Sequence, residues 1–352
     1  MTARRHSPAV ERLATLCGAV GDSFQKGSEL LKEAAGVRLS ESTVRRTTQA
    51  TGNRIATHVQ KGRTFGGKVA WDWFGDACGR TVGYIQIDAT GVRQQGPQGV
   101  RAEGRMAYVG LIANPLPDRE RVFEGLPKSG ASMKARYVSG LYPLAEMGPL
   151  LRRQGAQVGL DRAEVWVAIT DGGGGLEDFV RANFPRVEAV ILDFYHAATH
   201  LKEAADAVHG AETPHAKALF ESWKTALKED PQGAKKVIRA VRYRRDQAEG
   251  PARKTLTTVA KYLASMQSGM EYHAYKSMGL PIGSGVVEAA CKTLVNERLK
   301  QSGMRWTIRG GQAILTLRSH MQSDRWENAW RLLARSYTTT IYPVRTSARC
   351  AA

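Results

Sequence analysis

Two short apolar runs constrain this chain's fold more than anything else in it. Glu164 to Thr170 (EVWVAIT) and Val187 to Leu192 (VEAVIL) are nearly continuous in hydrophobicity, rich in β-branched residues, and too short for ordinary buried helices. Strands of that kind are covered on both faces, as parallel strands flanked by helices are. Leu176 to Phe184 lies between them and reads as a short helix closed by Pro185. Two parallel neighbours joined through a helix form the βαβ unit, whose crossover is almost always right-handed.

Upstream, Val82 to Asp88 (VGYIQID) and Met106 to Ala113 (MAYVGLIA) have the composition of strands, Arg121 to Gly125 reads as a short third, and Ser132 to Gln154 as a helix. A further helix begins at about Ala197. The resulting order, β-β-β-α-β-α-β-α, is that of an α/β chain with an RNase H-like mixed sheet. Residues 81–200 are therefore expected to form the first part of a core, and 280–340 a second, helical part. Between them, 201–279 carry Ala, Lys, Arg and Glu at helical spacing with no strand signal, which predicts an all-α insertion. From Lys217 to Lys261 there are twelve Lys and Arg against five acids.

Residues 1–80 are expected to form a helical region. Ser28 to Ala35 is amphipathic and stops at Gly36, and Ser40 has the character of an N-cap for a helix running to about Ile55. Two helices about a short Gly-containing turn make a helix-turn-helix pattern, with Arg45 and Arg46 on the second helix as candidate DNA contacts. An ordinary helical hairpin gives the same pattern. Residues 341–352 read as a tail.

Charge narrows the partners. The chain has 51 Lys and Arg against 33 Asp and Glu, a formal +18, which attracts polyanions, and nucleic acid above all. The four cysteines stand far apart with no CxxC pair, which argues against a zinc ribbon or a disulfide framework and fits a reducing, cytoplasmic, nucleoid-associated setting. No run of residues is long and apolar enough for a membrane span, and the basic N-terminal segment has no apolar stretch behind it of the kind a secretory signal needs.

Three acids carry the candidate chemistry. Asp88 is expected to end an apolar strand, Asp171 ends another and opens a Gly-rich loop, and Glu288 lies in GSGVVEAACK at the start of a helix. In an open α/β sheet, sites form outside the carboxyl ends of strands. If the strands of Asp88 and Asp171 are parallel neighbours, both carboxylates emerge at one edge. Oxygen ligands without Cys or His at metal spacing favour Mg²⁺ or Mn²⁺, and two such ions stabilise the attacking and leaving oxygens of a phosphoryl displacement. Taken singly, each acid also suits a solvated turn or a helix cap. Gly283 and Gly285 are expected to let backbone approach the site closely.

Around them, Asp193 and His196 in LDFYH have the spacing for one helix face, as a hydrogen-bonded pair at a strand end, as support for Asp171, or as a DNA contact. His200 continues that face, but no Cys completes a zinc set. Gly172 to Gly175 lacks the Lys-Ser/Thr of a phosphate loop and reads as a turn beside Asp171. Lys292, Arg305 and Trp306 are candidate DNA contacts, with Trp306 offering either a stacking face or a core side chain.

These residues resemble a known group. The run TDGGGGLEDFVRANFPRVEAVILDFYHAATHL is similar to the central signature of Mutator-related insertion-sequence transposases. Together with IDATGV and GSGVVEAACKTLVNERLKQSGMRW it resembles the ISKra-type branch, over about residues 81 to 335. The resemblance implies a DDE transposase with Asp88, Asp171 and Glu288 as catalytic acids and ligands of two Mg²⁺ or Mn²⁺ ions. It further implies an Asp-x-x-His element at Asp193 and His196, double-stranded DNA (terminal inverted repeats and target) as partner, and a homodimer or larger assembly on DNA. Members often carry N-terminal Cys pairs, which this chain lacks. A catalytically silent or truncated transposase-derived DNA-binding protein, and an RNase H-like nuclease or resolvase, are the alternatives.

Overall fold

The computed structural model describes residues 6–114, 134–335 and 337. The chain divides into two compact units: one comprises 68–92 and 104–296, the other 1–67, 93–103 and the residues from 297 onward. Among the described residues no helix is long and apolar enough to cross a membrane.

The larger unit is built on a five-stranded mixed sheet in the order β3-β2-β1-β4-β5. Its strands are β1 (Val82–Gln95), β2 (Arg101–Asn114), β3 (Lys134–Gly140), β4 (Val165–Thr170) and β5 (Val187–Leu192), with the ends of β1 from Arg93 and of β2 up to Glu103 counted to the smaller unit. β1 pairs parallel with β4, and β4 with β5, as the two apolar runs predict; β2 and β3 are antiparallel. Ile85, Ile87, Val109, Leu111, Ile169 and Ile191 are fully buried in the sheet. Helix α4 (Leu144–Val158) packs on β3, and α5 (Leu176–Asn183) crosses between β4 and β5.

Three details differ from the sequence expectations. β1 does not end at Asp88 but runs on to Gln95, because the ladder with β2 continues through a polar, half-exposed stretch after the partnership with β4 has stopped. The third strand is Lys134–Gly140, inside a segment expected to be helical. Its pairing partner, Tyr108–Asn114 of β2, is already in place, and Pro143 forces extended backbone, so α4 starts only at Leu144. The short strand expected over 121–125 lies outside the described residues, as does the tail expected over 341–352.

After β5, residues 201–279 are helical, with no strand among them. Helices α6 (Phe194–His209), α7 (Pro214–Glu229), α8 (Gly233–Gln247) and α9 (Gly250–Ser265) pack in successive pairs, and α6 also packs on α9. Leu201, Leu227, Val241, Leu256 and Leu263 form their buried side. A short α10 (Tyr272–Ser277) leads to α11 (Gly285–Ala290), which passes into a π-helical turn over Cys291–Asn296.

The smaller unit contains α1 (Pro8–Val20), α2 (Phe24–Ala35) and α3 (Glu41–Gln60). The helix stop and start expected between α2 and α3 are present: Gly36 closes α2 at φ 65°, and the Ser40 hydroxyl accepts from the Thr43 N–H. After α12 (Glu297–Leu299), α13 (Ile308–Gln322) lies against α3, so closely at Gly52 that an added Cβ would sit 2.4 Å from the Ala313 carbonyl oxygen. Ile55, Leu317, Ala329, Trp330 and Leu333, the last three from α14 (Trp326–Arg335), complete this core.

Candidate functional site

The sheet places the first two acids. Val82 pairs with Val165 and Gln86 with Ile169, so the parallel register carried two residues further sets Asp88 level with Asp171. Adjacent strands lie about 4.8 Å apart, which makes these two backbone positions neighbours at one sheet edge. Asp171 immediately follows β4 and its Oδ1 accepts from the Gly173 N–H at 2.8 Å. That tight turn requires glycine at 172: φ is 75°, and an added Cβ would meet a Leu192 methyl at 2.7 Å and the Tyr262 hydroxyl at 2.9 Å. Tyr262, from α9, donates its hydroxyl proton to the Asp171 carbonyl at 2.8 Å. The Gly172–Gly175 run is a turn beside Asp171 that leads into α5.

The third acid arrives through a match of two periodicities. Side chains of β1 alternate in direction, so Gln86 and Asp88 share a face. Gln86 Oε1 accepts from the Val287 N–H at 3.0 Å, and Asp88 Oδ2 accepts from the Cys291 thiol at 3.3 Å. Two strand residues advance about 6.7 Å and four helical residues about 6 Å, so positions 86 and 88 fit 287 and 291 in step. Glu288, beside Val287 in the first turn of α11, thereby belongs to the neighbourhood of Asp88. Its carboxylate accepts from the Ser284 hydroxyl at 2.7 Å.

Asp193 holds this arrangement from behind. It is fully buried, and its carboxylate accepts from the His196 N–H at 2.6 Å and from the Ser284 N–H. The Phe194 N–H donates to the Ile282 carbonyl at 2.9 Å, which ties the start of α6 to the turn before α11. The expected Asp193–His196 side-chain pair is not formed. Three residues after an N-cap is where a backbone N–H needs an acceptor, and that donor takes the carboxylate. The His196 ring instead meets the Tyr262 ring at 6.1 Å and the His200 ring at 5.1 Å, while His200 Nδ1 lies 3.0 Å from a Glu203 carboxylate oxygen. Gly283 is a close-approach position, with the Tyr195 ring 3.0 Å from where a Cβ would be; Gly285, expected to be one, faces open space.

Burial raises the Asp88 carboxyl above its ordinary value, and the nearby Asp171 and Glu288 charges raise it further, against the lowering effect of the Ala89 N–H and the Cys291 thiol. Burial and the same three carboxylates push the Cys291 thiol up, so it sits among them as a neutral donor. Among the described residues, however, no three His, Cys, Asp or Glu side chains are gathered tightly enough to enclose a metal ion. The three acids share a neighbourhood but not a formed ligand set. Each is held by a local donor: Cys291 for Asp88, Gly173 for Asp171, Ser284 for Glu288.

No protein-family model matches this chain, and no curated protein matches it.

Gln86, Ser284, Cys291 and Tyr262 are site residues that sequence reasoning did not single out. Gln86 carried a signal, as a polar residue two before Asp88 in an otherwise apolar strand; Cys291, three after Glu288, carried another. Tyr262 had none, since the fold brings it to Asp171 from 91 residues away in the chain. Lys292 is exposed one helical turn after Glu288. In the smaller unit Arg45 and Arg46 are exposed on α3, while Val44 and Thr48 face its core, so the arginines project from the helix. Arg305 is also exposed, but Trp306 is buried, 6% exposed, with the Phe24 ring at 5.9 Å and the Arg298 guanidinium 5.0 Å from its centroid. A free stacking face on Trp306 is thereby excluded.

Proposed function

We propose that this chain is a DDE-type DNA transposase of a bacterial insertion sequence, acting by metal-dependent strand cleavage and strand transfer on an RNase H-like core. The observation that carries the reading is the parallel β1–β4 pairing, which runs to Gln86 and Ile169, two residues before Asp88 and Asp171, while Gln86 also bonds to α11, the helix of Glu288. The strand order β3-β2-β1-β4-β5 and the helical excursion between β5 and α11 support it.

The donor chemistry suits hard divalent cations. Three carboxylates supply only oxygen, and the charges acting most strongly on Asp88 are other carboxylates, which leaves negative charge for a cation to neutralise. Asp88, Asp171 and Glu288 would hold two Mg²⁺ or Mn²⁺ ions, which when bound activate water or a DNA 3′-hydroxyl and stabilise the leaving oxygen. The chain's own contribution is positional: the ladder leads the first two acids to the ends of their paired stretches, Gln86 and Asp193 hold the segment bearing the third, and Ser284 and Cys291 donate to the carboxylates meanwhile. Double-stranded DNA as substrate agrees with the formal +18 charge, and paired DNA ends call for a dimer or larger assembly.

The test is strand nicking and joining of a labelled duplex bearing the element's terminal repeats, in Mg²⁺. Asp88→Asn, Asp171→Asn and Glu288→Gln should each lower cleavage at least 100-fold and leave duplex affinity within about threefold. Normal cleavage by any one of them removes that residue from the triad. Because the acids are not gathered into a ligand set, a second reading is a transposase-derived DNA-binding protein without cleavage; tight duplex binding with no nicking in Mg²⁺ or Mn²⁺ would establish it instead.

A further inference from the structure

The smaller unit contains a cavity of about 300 Å³ whose wall includes Arg45, Arg298, Arg305, Trp306, Gln49 and Glu41. Three arginines face a single carboxylate there. Arg298 is the unusual member. It is 0% exposed, its guanidinium lies 4.3 Å from the Phe24 ring centroid and 5.0 Å from that of Trp306, and only one of its nitrogens, Nη2, finds an acceptor, the Gly18 carbonyl at 3.2 Å. Its Nε and Nη1, and Nε1 of Trp306, are buried donors with no acceptor. Burial lowers the Arg298 pKa to about 10, so the group stays charged at neutral pH. A buried cation with no ion pair among the described residues, beside further unmatched N–H groups, is costly unless something negative is meant to arrive.

The surrounding backbone points to the same ligand. Ser23 and Phe24 open α2, Glu41 opens α3 and Thr307 caps α13, so the N-termini of three helices border one cavity. Helix N-termini present free N–H groups and partial positive charge to anions. The aromatic rings are not open for stacking, since Arg298 and the Phe24–Trp306 edge contact already occupy them. The ligand is recognised by charge and N–H donors rather than by a base.

We propose that this cavity is a phosphate pocket that seats one backbone phosphodiester of DNA, with Arg45 and Arg305 at its exposed rim and Arg298 as its buried cationic floor. The proposal rests on the reading of this chain as a DNA-acting protein, but not on the acid triad. Taking away one cation that neutralises a phosphate lowers the salt dependence of binding by about one counterion.

The experiment uses the full chain, a fluorescein-labelled duplex, and anisotropy titrations from 50 to 300 mM salt (on the order of the range over which counterion release dominates). Arg45→Ala and Arg305→Ala should each weaken binding about tenfold, and the slope of log affinity against log salt should fall by about one. Arg298→Met, checked for folding by circular dichroism, should lose as much. Lys61→Ala, at the opposite end of α3, serves as the comparison and should stay within twofold. A second arm follows thermal unfolding with inorganic phosphate. If Arg45→Ala and Arg305→Ala bind like Lys61→Ala with an unchanged slope, the pocket seats no DNA phosphate and the proposal is overturned. If wild type is stabilised by inorganic phosphate in an Arg305-dependent way yet binds no duplex, the pocket serves a free phosphate, and both this proposal and the DNA reading are overturned. Pocket-dependent duplex binding without cleavage would leave the pocket standing while the triad reading fails.

Discussion

Asp193 offers the sharpest test of how the third acid is held. Its buried carboxylate accepts from two backbone N–H groups, those of His196 and Ser284, and the Ser284 residue is itself only 4% exposed. A hydrogen bond to a charged group contributes about 1.5–3 kcal/mol, and an unpaired buried N–H costs about 1–3 kcal/mol. Removing the carboxylate also relieves the desolvation of a buried charge, which offsets part of the loss. Asp193→Ala should therefore destabilise the chain by about 3–4 kcal/mol, a large share of the roughly 5–15 kcal/mol that holds an ordinary domain together. Asp193→Asn keeps one acceptor oxygen but turns an amide donor toward the other N–H, for a loss of about 2 kcal/mol. Urea unfolding followed by circular dichroism measures both, provided the slope against denaturant is unchanged. Hydrogen exchange should localise the effect, with amides over 282–288 and at 194–197 exchanging faster than elsewhere. A loss below about 1 kcal/mol for the alanine variant, or unchanged exchange over 282–288, would refute the role of Asp193 as the tie between α6 and the turn before α11.

Two further outcomes follow from the same reasoning. Gly172→Ala puts a side chain at φ 75° and 2.7 Å from a Leu192 methyl; left-handed strain and the clash together should cost about 2–3 kcal/mol and abolish cleavage, and a variant with wild-type stability would show that the turn yields. His320, whose Nδ1 lies 2.7 Å from the Thr316 carbonyl and whose ring meets Phe65 at 4.9 Å, is held by burial at a pKa of about 4. Its folded value lies below the unfolded value of about 6.5, so its stabilising effect is fully present above that pH and is lost as pH falls toward 4. Between pH 7.5 and 5.5 the loss should be about 1.4 kcal/mol in urea unfolding, and His320→Gln should remove it from the pH profile; identical profiles for the two proteins would contradict it.

Much of the sheet was legible because it is built from residues that can do little else. EVWVAIT and VEAVIL are buried parallel strands, and once they pair as a βαβ unit with β1 alongside, Asp88 and Asp171 must emerge together. Caps were legible for the same reason: Gly36 and Ser40 end and start helices by local backbone chemistry. Beyond such local rules the sequence was less explicit. Ser132 to Gln154 has helical composition, yet its first part became β3 because the exposed edge of β2 supplied partners that propensity does not record. The Asp193–His196 spacing fits a side-chain pair and a helix cap equally well, and burial decided for the cap. Trp306 could not be placed from composition alone, since the Phe24 ring against it comes from a distant part of the sequence, although Arg298 lies in the same short stretch.

The three acids are not held alike, and the difference accounts for the state of the site. Asp88 and Asp171 follow the last paired rung of the β1–β4 ladder, Gln86 with Ile169, by two residues, and a slip by one residue in that ladder would turn every side chain of β1 to the opposite face. Glu288 follows a helical excursion of some eighty residues, and its segment is held by a few contacts: Gln86 on the Val287 N–H, Asp193 on the Ser284 N–H, and the Phe194 N–H on the Ile282 carbonyl. Its own carboxylate is then taken by the Ser284 hydroxyl, four residues back on the same helix. On the reading proposed above, a cation would have to displace that hydroxyl, and would meet the Cys291 and Gly173 donors at the other two acids. Under that reading, the two strand-end acids would locate the cation and Glu288 would complete its enclosure.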